Sequence, residues 1–172
     1  MLAEEIVEEW LNRNGYFTIR GVKLGVQEID LLALGYIDDK ILCRHVEVQA
    51  SVRPLSYLCP LPKEVQKITG RKANSVKERS REEMSIGVDE WIKKKYHIDV
   101  KENLRNHLYP GVWKLELVIH HVKFEEELDL VRGHGIVIHR LDDIIAELAS
   151  SKSIVPSASG SDLMELIMLG RS

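Results

Sequence analysis

Residues 26–50 read VQEIDLLALGYIDDKILCRHVEVQA, two runs rich in β-branched and apolar residues on either side of Asp38-Asp39. This pattern predicts a β-hairpin with strands over 26–36 and 40–50. Each strand carries one polar pair at i and i+2 that interrupts the apolar run, Glu28 with Asp30 and Glu47 with Gln49. Such pairs share one face of a strand. With the turn centred between Asp38 and Asp39, partner numbers add to 77, so Asp30 stands opposite Glu47 and Glu28 opposite Gln49. A three-residue turn would offset the pairing by one and send the two acids to opposite faces.

Like charges facing each other destabilise a sheet, and burial makes this worse, so the arrangement calls for a cation or a shared proton. Oxygen ligation by two carboxylates suits Mg²⁺ or Mn²⁺, ions that complete their shells with substrate phosphate. That points to phosphate ester chemistry. The alternative is a solvated face of an edge hairpin on which Asp30, Glu47, Glu28 and Gln49 do no chemistry.

Working outward, the chain has 172 residues, 44% hydrophobic and 30% charged, enough for one core and hardly for two. A core domain is expected over 1–150, followed by a Ser-rich linker and a short apolar segment, Leu163 to Leu169, within 151–172. No run approaches the ~18 apolar residues of a membrane helix. Cys43 and Cys59 lie 16 apart without a C-x-x-C cadence, so neither a disulfide framework nor a cysteine zinc site is indicated. A cytoplasmic protein with reduced thiols and no membrane partner fits these features.

Leu2, Ala3, Ile6, Val7, Trp10 and Leu11 recur at helical spacing and predict a helix over 2–14, before a strand from Tyr16 to Arg20. Beyond the hairpin, Pro54, Pro60 and Pro62 break early helix, a short helix starts near Lys63 and fades at Gly70, and a longer one covers 82–96. Strands are expected over 113–122 and 135–139 and a last helix over 142–150. Charge is unevenly spread: 1–52 carry a net −4, 53–81 a net +6 and 82–172 a net −5. The middle block is a basic insertion holding Arg53, Lys63, Lys67, Arg71, Lys72, Lys77, Arg79 and Arg81. It is either a solvated segment or a surface that tracks a phosphate backbone, in which case Lys63, Lys67, Arg71, Lys72, Lys77 and Arg79 bind nucleic acid.

Helix, three strands, helix, strand, with Glu4 on the first helix, Glu28-Ile29-Asp30 on the second strand and Glu47-Val48-Gln49 on the third, resembles the PD-(D/E)XK nuclease superfamily. Glu4-Glu5-Ile6-Val7 through Trp10-Leu11 to Gly15-Tyr16-Phe17, and Glu28-Ile29-Asp30-Leu31-Leu32-Ala33, are similar to its resolvase-like members. The likeness covers residues 1–52 well and the rest by element order. It implies an α/β fold, an αβββαβ restriction-endonuclease-like core whose central mixed sheet is flanked by helices. It further implies a Mg²⁺-dependent endonuclease cutting DNA, in which Asp30, Glu47 and the Val48 backbone carbonyl hold the metal and Glu4 assists from the helix. Gln49 departs from the family pattern, standing where most members have a lysine. Its amide can orient a water but cannot stabilise hydroxide by charge. The resemblance leaves two alternatives: glutamine is tolerated here, as in some active members, or a lysine from elsewhere substitutes, Lys23, Lys63 and Lys67 being the candidates by proximity in sequence.

Other residues carry two readings each. His45 shares the face of Glu47 and either contacts phosphate or the active-site water, or is a buried hydrogen-bonding histidine. Cys43, on the same face, reads as packing. His120-His121 on a strand would point to opposite faces and so would not chelate one ion. Lys93 to Lys95 extend a phosphate-binding surface if their helix borders the cleft, and Glu125 to Glu127 read as solvated surface. Two rival functions stand beside the nuclease: an inactive nucleic-acid-binding module of the same fold, and a protein-interaction subunit. A homodimer is compatible with all three.

Overall fold

The computed structural model describes residues 2–51 and 54–150; Arg53, the 151–172 linker and the Leu163 to Leu169 segment lie outside the described residues. Over the described residues the chain is α/β, with a five-stranded mixed sheet and six helices. Helix α1 (Leu2–Arg13) leads into β1 (Tyr16–Leu24), β2 (Gln27–Ile37) and β3 (Lys40–Gln49), then α2 (Lys63–Thr69), α3 (Arg81–Tyr96) and α4 (Asp99–Leu108). The remainder is β4 (Trp113–Ile119), α5 (Glu125–Gly133), β5 (Val137–Arg140) and α6 (Leu141–Ala149). Strands lie in sequence order, β1-β2-β3-β4-β5, antiparallel through β3 and parallel from β3 to β5. No described helix is long and apolar enough to cross a membrane.

The hairpin register follows the expected arithmetic, from Ile37↔Lys40 through Tyr36↔Ile41 to Leu31↔Val46. Asp38 and Asp39 both have positive φ, 49° and 60°, as a tight two-residue turn of the right twist requires. Pairing between β2 and β3 runs only to Leu31↔Val46, one step before Asp30 and Glu47, so neither Asp30 with Glu47 nor Glu28 with Gln49 forms the expected ladder pair. Glu28 instead pairs with Lys23 of β1.

Alternation then divides the sheet. Leu31, Ala33, Val46, Val48 and Val118 point into a core closed by Ile6, Val7, Trp10 and Leu11 of α1 and by Ile144 and Leu148 of α6. Leu117 and Ile119 face a second core built with Val88, Trp91 and Ile92 of α3 and Leu128 and Val131 of α5. Full burial of a Leu, Ile or Val side chain contributes roughly 1.5–3 kcal/mol, so these two layers hold the sheet between them. The face under α3 carries Asp30, His45, Glu47 and Gln49, the residues opposite in alternation to Leu31, Val46 and Val48.

Two expectations change. Glu125 to Glu127 form the first turn of α5, and Glu127 is fully buried rather than solvated. Its carboxylate accepts the backbone N–H groups of Leu58 and Cys59, and Arg79 lies within 3.9 Å. Helix α4, absent from the sequence expectation, fills the gap between residues 97 and 112.

Candidate active site

Where β2 and β3 part, Asp30 takes over from the ladder: its Oδ2 accepts the backbone N–H of Val48 at 2.8 Å. The side chain is thereby fixed beside Glu47. Burial, and then the Glu47 charge, push the Asp30 carboxyl up to about 6, against a smaller downward pull from the Val48 hydrogen bond. Glu4 acts on Asp30 in the same upward direction, as the weakest of the influences. It sits on α1, which covers the other face of the sheet.

Glu47 is 1% exposed and fully engaged by cations and an imidazole. Lys95 Nζ of α3 lies 2.6 Å from Oε2, Lys101 Nζ of α4 3.0 Å from Oε1, and His45 Nε2 3.1 Å from Oε1. Burial alone would raise the Glu47 carboxyl, but the His45 hydrogen bond and the two ammonium groups outweigh it and draw it down to about 2. It is ionised at every working pH.

His45 is the buried hydrogen-bonding histidine of the two readings. It is inaccessible to solvent, and burial holds its pKa down at about 4 despite the Glu47 charge. The neutral ring donates through Nε2 to Glu47 and accepts at Nδ1 from Arg105 Nη1 at 2.7 Å, the tautomer that these two partners require. Arg105 and Lys101 lie one turn apart on α4, so one buried helix face supplies a guanidinium to His45 and an ammonium to Glu47.

The two lysines differ in freedom. Lys101 is 1% exposed and donates a second bond to the carbonyl of Lys95 at 2.8 Å, which pins it to the C-terminal end of α3. Lys95 is 31% exposed and reaches solvent. Burial would lower its pKa, but Glu47 by charge and hydrogen bond, with Asp30 and Glu28 behind it, raises it instead. Lys95 is therefore a firm ammonium, suited to electrostatic stabilisation and to donating hydrogen bonds rather than to acting as a base. The lysines beside Glu47 are thus Lys95 and Lys101, not the expected Lys23, Lys63 or Lys67, because the helices after the basic block fold back over β3.

A cavity of about 1080 Å³ opens onto this face and is lined by Asp30, Val48 and Gln49 on the sheet and by Lys63, Lys94 and Lys95 on the helices. The Gln49 amide reaches its rim at Leu58, donating to the carbonyl at 3.4 Å. The all-oxygen set of Asp30, Glu47 and the Val48 carbonyl fits a hard divalent cation; the Asp30 carboxyl is raised by burial first and by the Glu47 charge second, and a cation would relieve the second. Lys95 and Lys101 already place two positive charges beside Glu47.

The basic block divides. Lys63, Lys67, Lys72 and Lys77 are exposed. Arg71 is taken by Glu83. Arg79 is buried, its Nη1 donating to the Cys59 carbonyl at 2.8 Å and its guanidinium stacked 3.9 Å over the Tyr57 ring. Arg79 therefore shapes the segment between β3 and α3 instead of presenting charge to a ligand. At the far end of β4, His120 and His121 lie past the strand, His120 in a bend, and their rings sit 4.3 Å apart rather than on opposite faces.

No protein-family model matches this chain, and no curated protein matches its sequence. Among solved structures, the crystal structure of a protein of unknown function, AF1548, is similar: 14% identical, with a TM-score of 0.48, over 98% of this chain and 77% of that one.

Proposed function

We propose that this protein is a divalent-metal-dependent DNA endonuclease of the PD-(D/E)XK kind. The observation that carries the reading is Lys95 Nζ, 2.6 Å from Glu47 Oε2 on the cavity face that also bears Asp30 and Gln49. A helix thereby supplies the positive charge that Gln49 lacks at its own position.

Asp30, Glu47 and the Val48 carbonyl would hold Mg²⁺ or Mn²⁺, which when bound neutralises phosphate charge and acidifies water. Asp30 is oriented for this by the Val48 N–H, and Glu47 by His45 and Lys101. Lys95 donates toward the scissile phosphate and steadies the charge that builds there. Gln49 orients a water through its amide. Glu4 adds negative charge near Asp30, and Glu28 does so near Lys95. Exposed Lys63, Lys67, Lys72 and Lys77 and cavity-lining Lys94 give the DNA backbone its counter-charges.

The test is a Mg²⁺ and Mn²⁺ titration of tag-free protein against labelled linear, flapped, branched and single-stranded DNA, with Asp30→Asn and Glu47→Gln beside it. Cleavage by the parent chain that falls at least about 10²-fold in Asp30→Asn, with DNA affinity kept, is the expected result. DNA binding without cleavage of any substrate would replace this reading by an inactive nucleic-acid-binding module, for which Gln49 is the motivating residue. Neither binding nor cleavage would leave the protein-interaction subunit.

A further inference from the structure

The three parallel strands β3, β4 and β5 end together, and the residues just beyond their carboxyl ends are Ser51, His120 with His121, and Asp142 in the first turn of α6. Carboxyl ends of parallel strands are where α/β sheets gather ligand-binding groups. His120 Nδ1 lies 3.1 Å from the Ser51 carbonyl oxygen, an acceptor only, so in the neutral ring that nitrogen carries the proton and Nε2 the lone pair. That lone pair faces Asp142. The separations are 3.6 Å from His120 Nε2 to Asp142 Oδ1 and 3.9 Å from His121 Nε2 to Asp142 Oδ2.

Both distances exceed a hydrogen bond, so the imidazoles and the carboxylate face one another across a gap. One ligand atom from each of the three residues lies within 4.8 Å of the other two. Two metal bonds of about 2.0–2.1 Å at a tetrahedral angle place their donors about 3.3 Å apart, so small movements close the set around an ion. His121 and Asp142 are on the surface and free to make them. Arg140, which donates to the His120 carbonyl, is itself paired with Glu125 at 2.6 Å.

We propose that His120, His121 and Asp142 form a binding site for a zinc-class transition metal ion, with solvent completing the shell. Imidazole nitrogen with a carboxylate selects Zn²⁺ and its neighbours over Mg²⁺, and three protein ligands leave a fourth position open. The carbonyl partner of His120 is the outer contact that such sites use to fix a ligating ring. This site is separate from the Asp30 and Glu47 centre, although Ser51 lines the cavity as well.

The experiment uses tag-free, chelator-stripped full chain, with Co²⁺ titrated by visible absorption and Zn²⁺ by calorimetry. The expected result is one equivalent of Zn²⁺ bound, a Co²⁺ ligand-field band, and affinity at least about tenfold weaker in both His121→Ala and Asp142→Asn. Asp30→Asn should leave the titration unchanged, and Zn²⁺ should raise Tm in the parent chain and not in His121→Ala. Absence of binding, an affinity equal to that of the parent chain in either His121→Ala or Asp142→Asn, or loss of Zn²⁺ in Asp30→Asn would each overturn the site. DNA cleavage is not a readout here, so failure of the nuclease reading leaves this test standing.

Discussion

Glu47 is where one residue carries most of the consequence. Its two oxygens accept from two lysines and a histidine, one of which, Lys95, reaches solvent while the others are buried. The two lysines should therefore separate on substitution. Lys95→Met should slow single-turnover cleavage about 10²- to 10³-fold while divalent affinity, measured by calorimetry, stays level or rises because a competing cation is gone. Undiminished cleavage would remove Lys95 from the reaction. Lys101→Met should instead lower stability by about 1–3 kcal/mol in urea unfolding, since it strips a buried carboxylate oxygen and the Lys95 carbonyl of a donor. Asp30 and Glu47 were legible because polar residues broke two apolar strands at matched positions. Lys95 stood in the sequence only within the Lys93 to Lys95 run, with its phosphate-binding reading left open, since a lysine run at a helix end reads the same whether it meets solvent, a phosphate or a carboxylate.

At the scale of elements, the segment between β3 and α3 is held by a buried clamp. Glu127 of α5 accepts from the backbone at Leu58 and Cys59, and Arg79 spans from the Cys59 carbonyl to the Tyr57 ring. Glu127→Ala should cost about 3–5 kcal/mol, because it leaves the two buried N–H groups of Leu58 and Cys59 without their acceptor and removes the carboxylate whose charge faces the buried Arg79 guanidinium. Limited proteolysis should then cut between residues 54 and 80, and an unchanged urea midpoint with full protease resistance would sink the clamp. Lys72→Glu with Lys77→Glu should leave the midpoint alone and flatten the salt dependence of DNA binding. Strands β1 to β3 and helices α1 and α3 could be read from apolar periodicity. Helix α4 could not, because its buried face carries Lys101 and Arg105 in place of an apolar stripe, and periodicity detects only the latter.

For the whole molecule, buried ionised groups set the response to acid. Glu116, buried under Arg44 and His139, would be raised by burial but is held down at about 2 by their hydrogen bonds and charges. Its folded pKa lies below its unfolded value near 4.5, so its stabilisation is present at neutral pH and is lost as pH falls from about 4.5 toward about 2. Glu47 behaves alike, and His45, held neutral to about 4, adds a loss between about 6.5 and 4. Asp30, raised to about 6, opposes them between about 6 and 4. Urea midpoints should therefore fall steeply below about pH 4.5, Glu116 alone contributing on the order of 3 kcal/mol. Glu116→Gln should be less stable at neutral pH and lose less on acidification; a slope equal to that of the parent chain would contradict this origin.

By itself the sequence determined the element order of the hairpin half, its register and the face shared by Asp30 and Glu47, because strand alternation and a two-residue turn are local rules that leave one solution. It did not determine which cations meet Glu47, why Arg79 is buried, or that His120 and His121 turn toward one residue. Those depend on α3, α4 and α6 folding back against the sheet from 48, 54 and 22 positions away in the chain, from Glu47 to Lys95 and Lys101 and from His120 to Asp142. Charged side chains buried against distant partners leave no periodic trace, since the pairing that makes their burial tolerable exists only once the chain is folded.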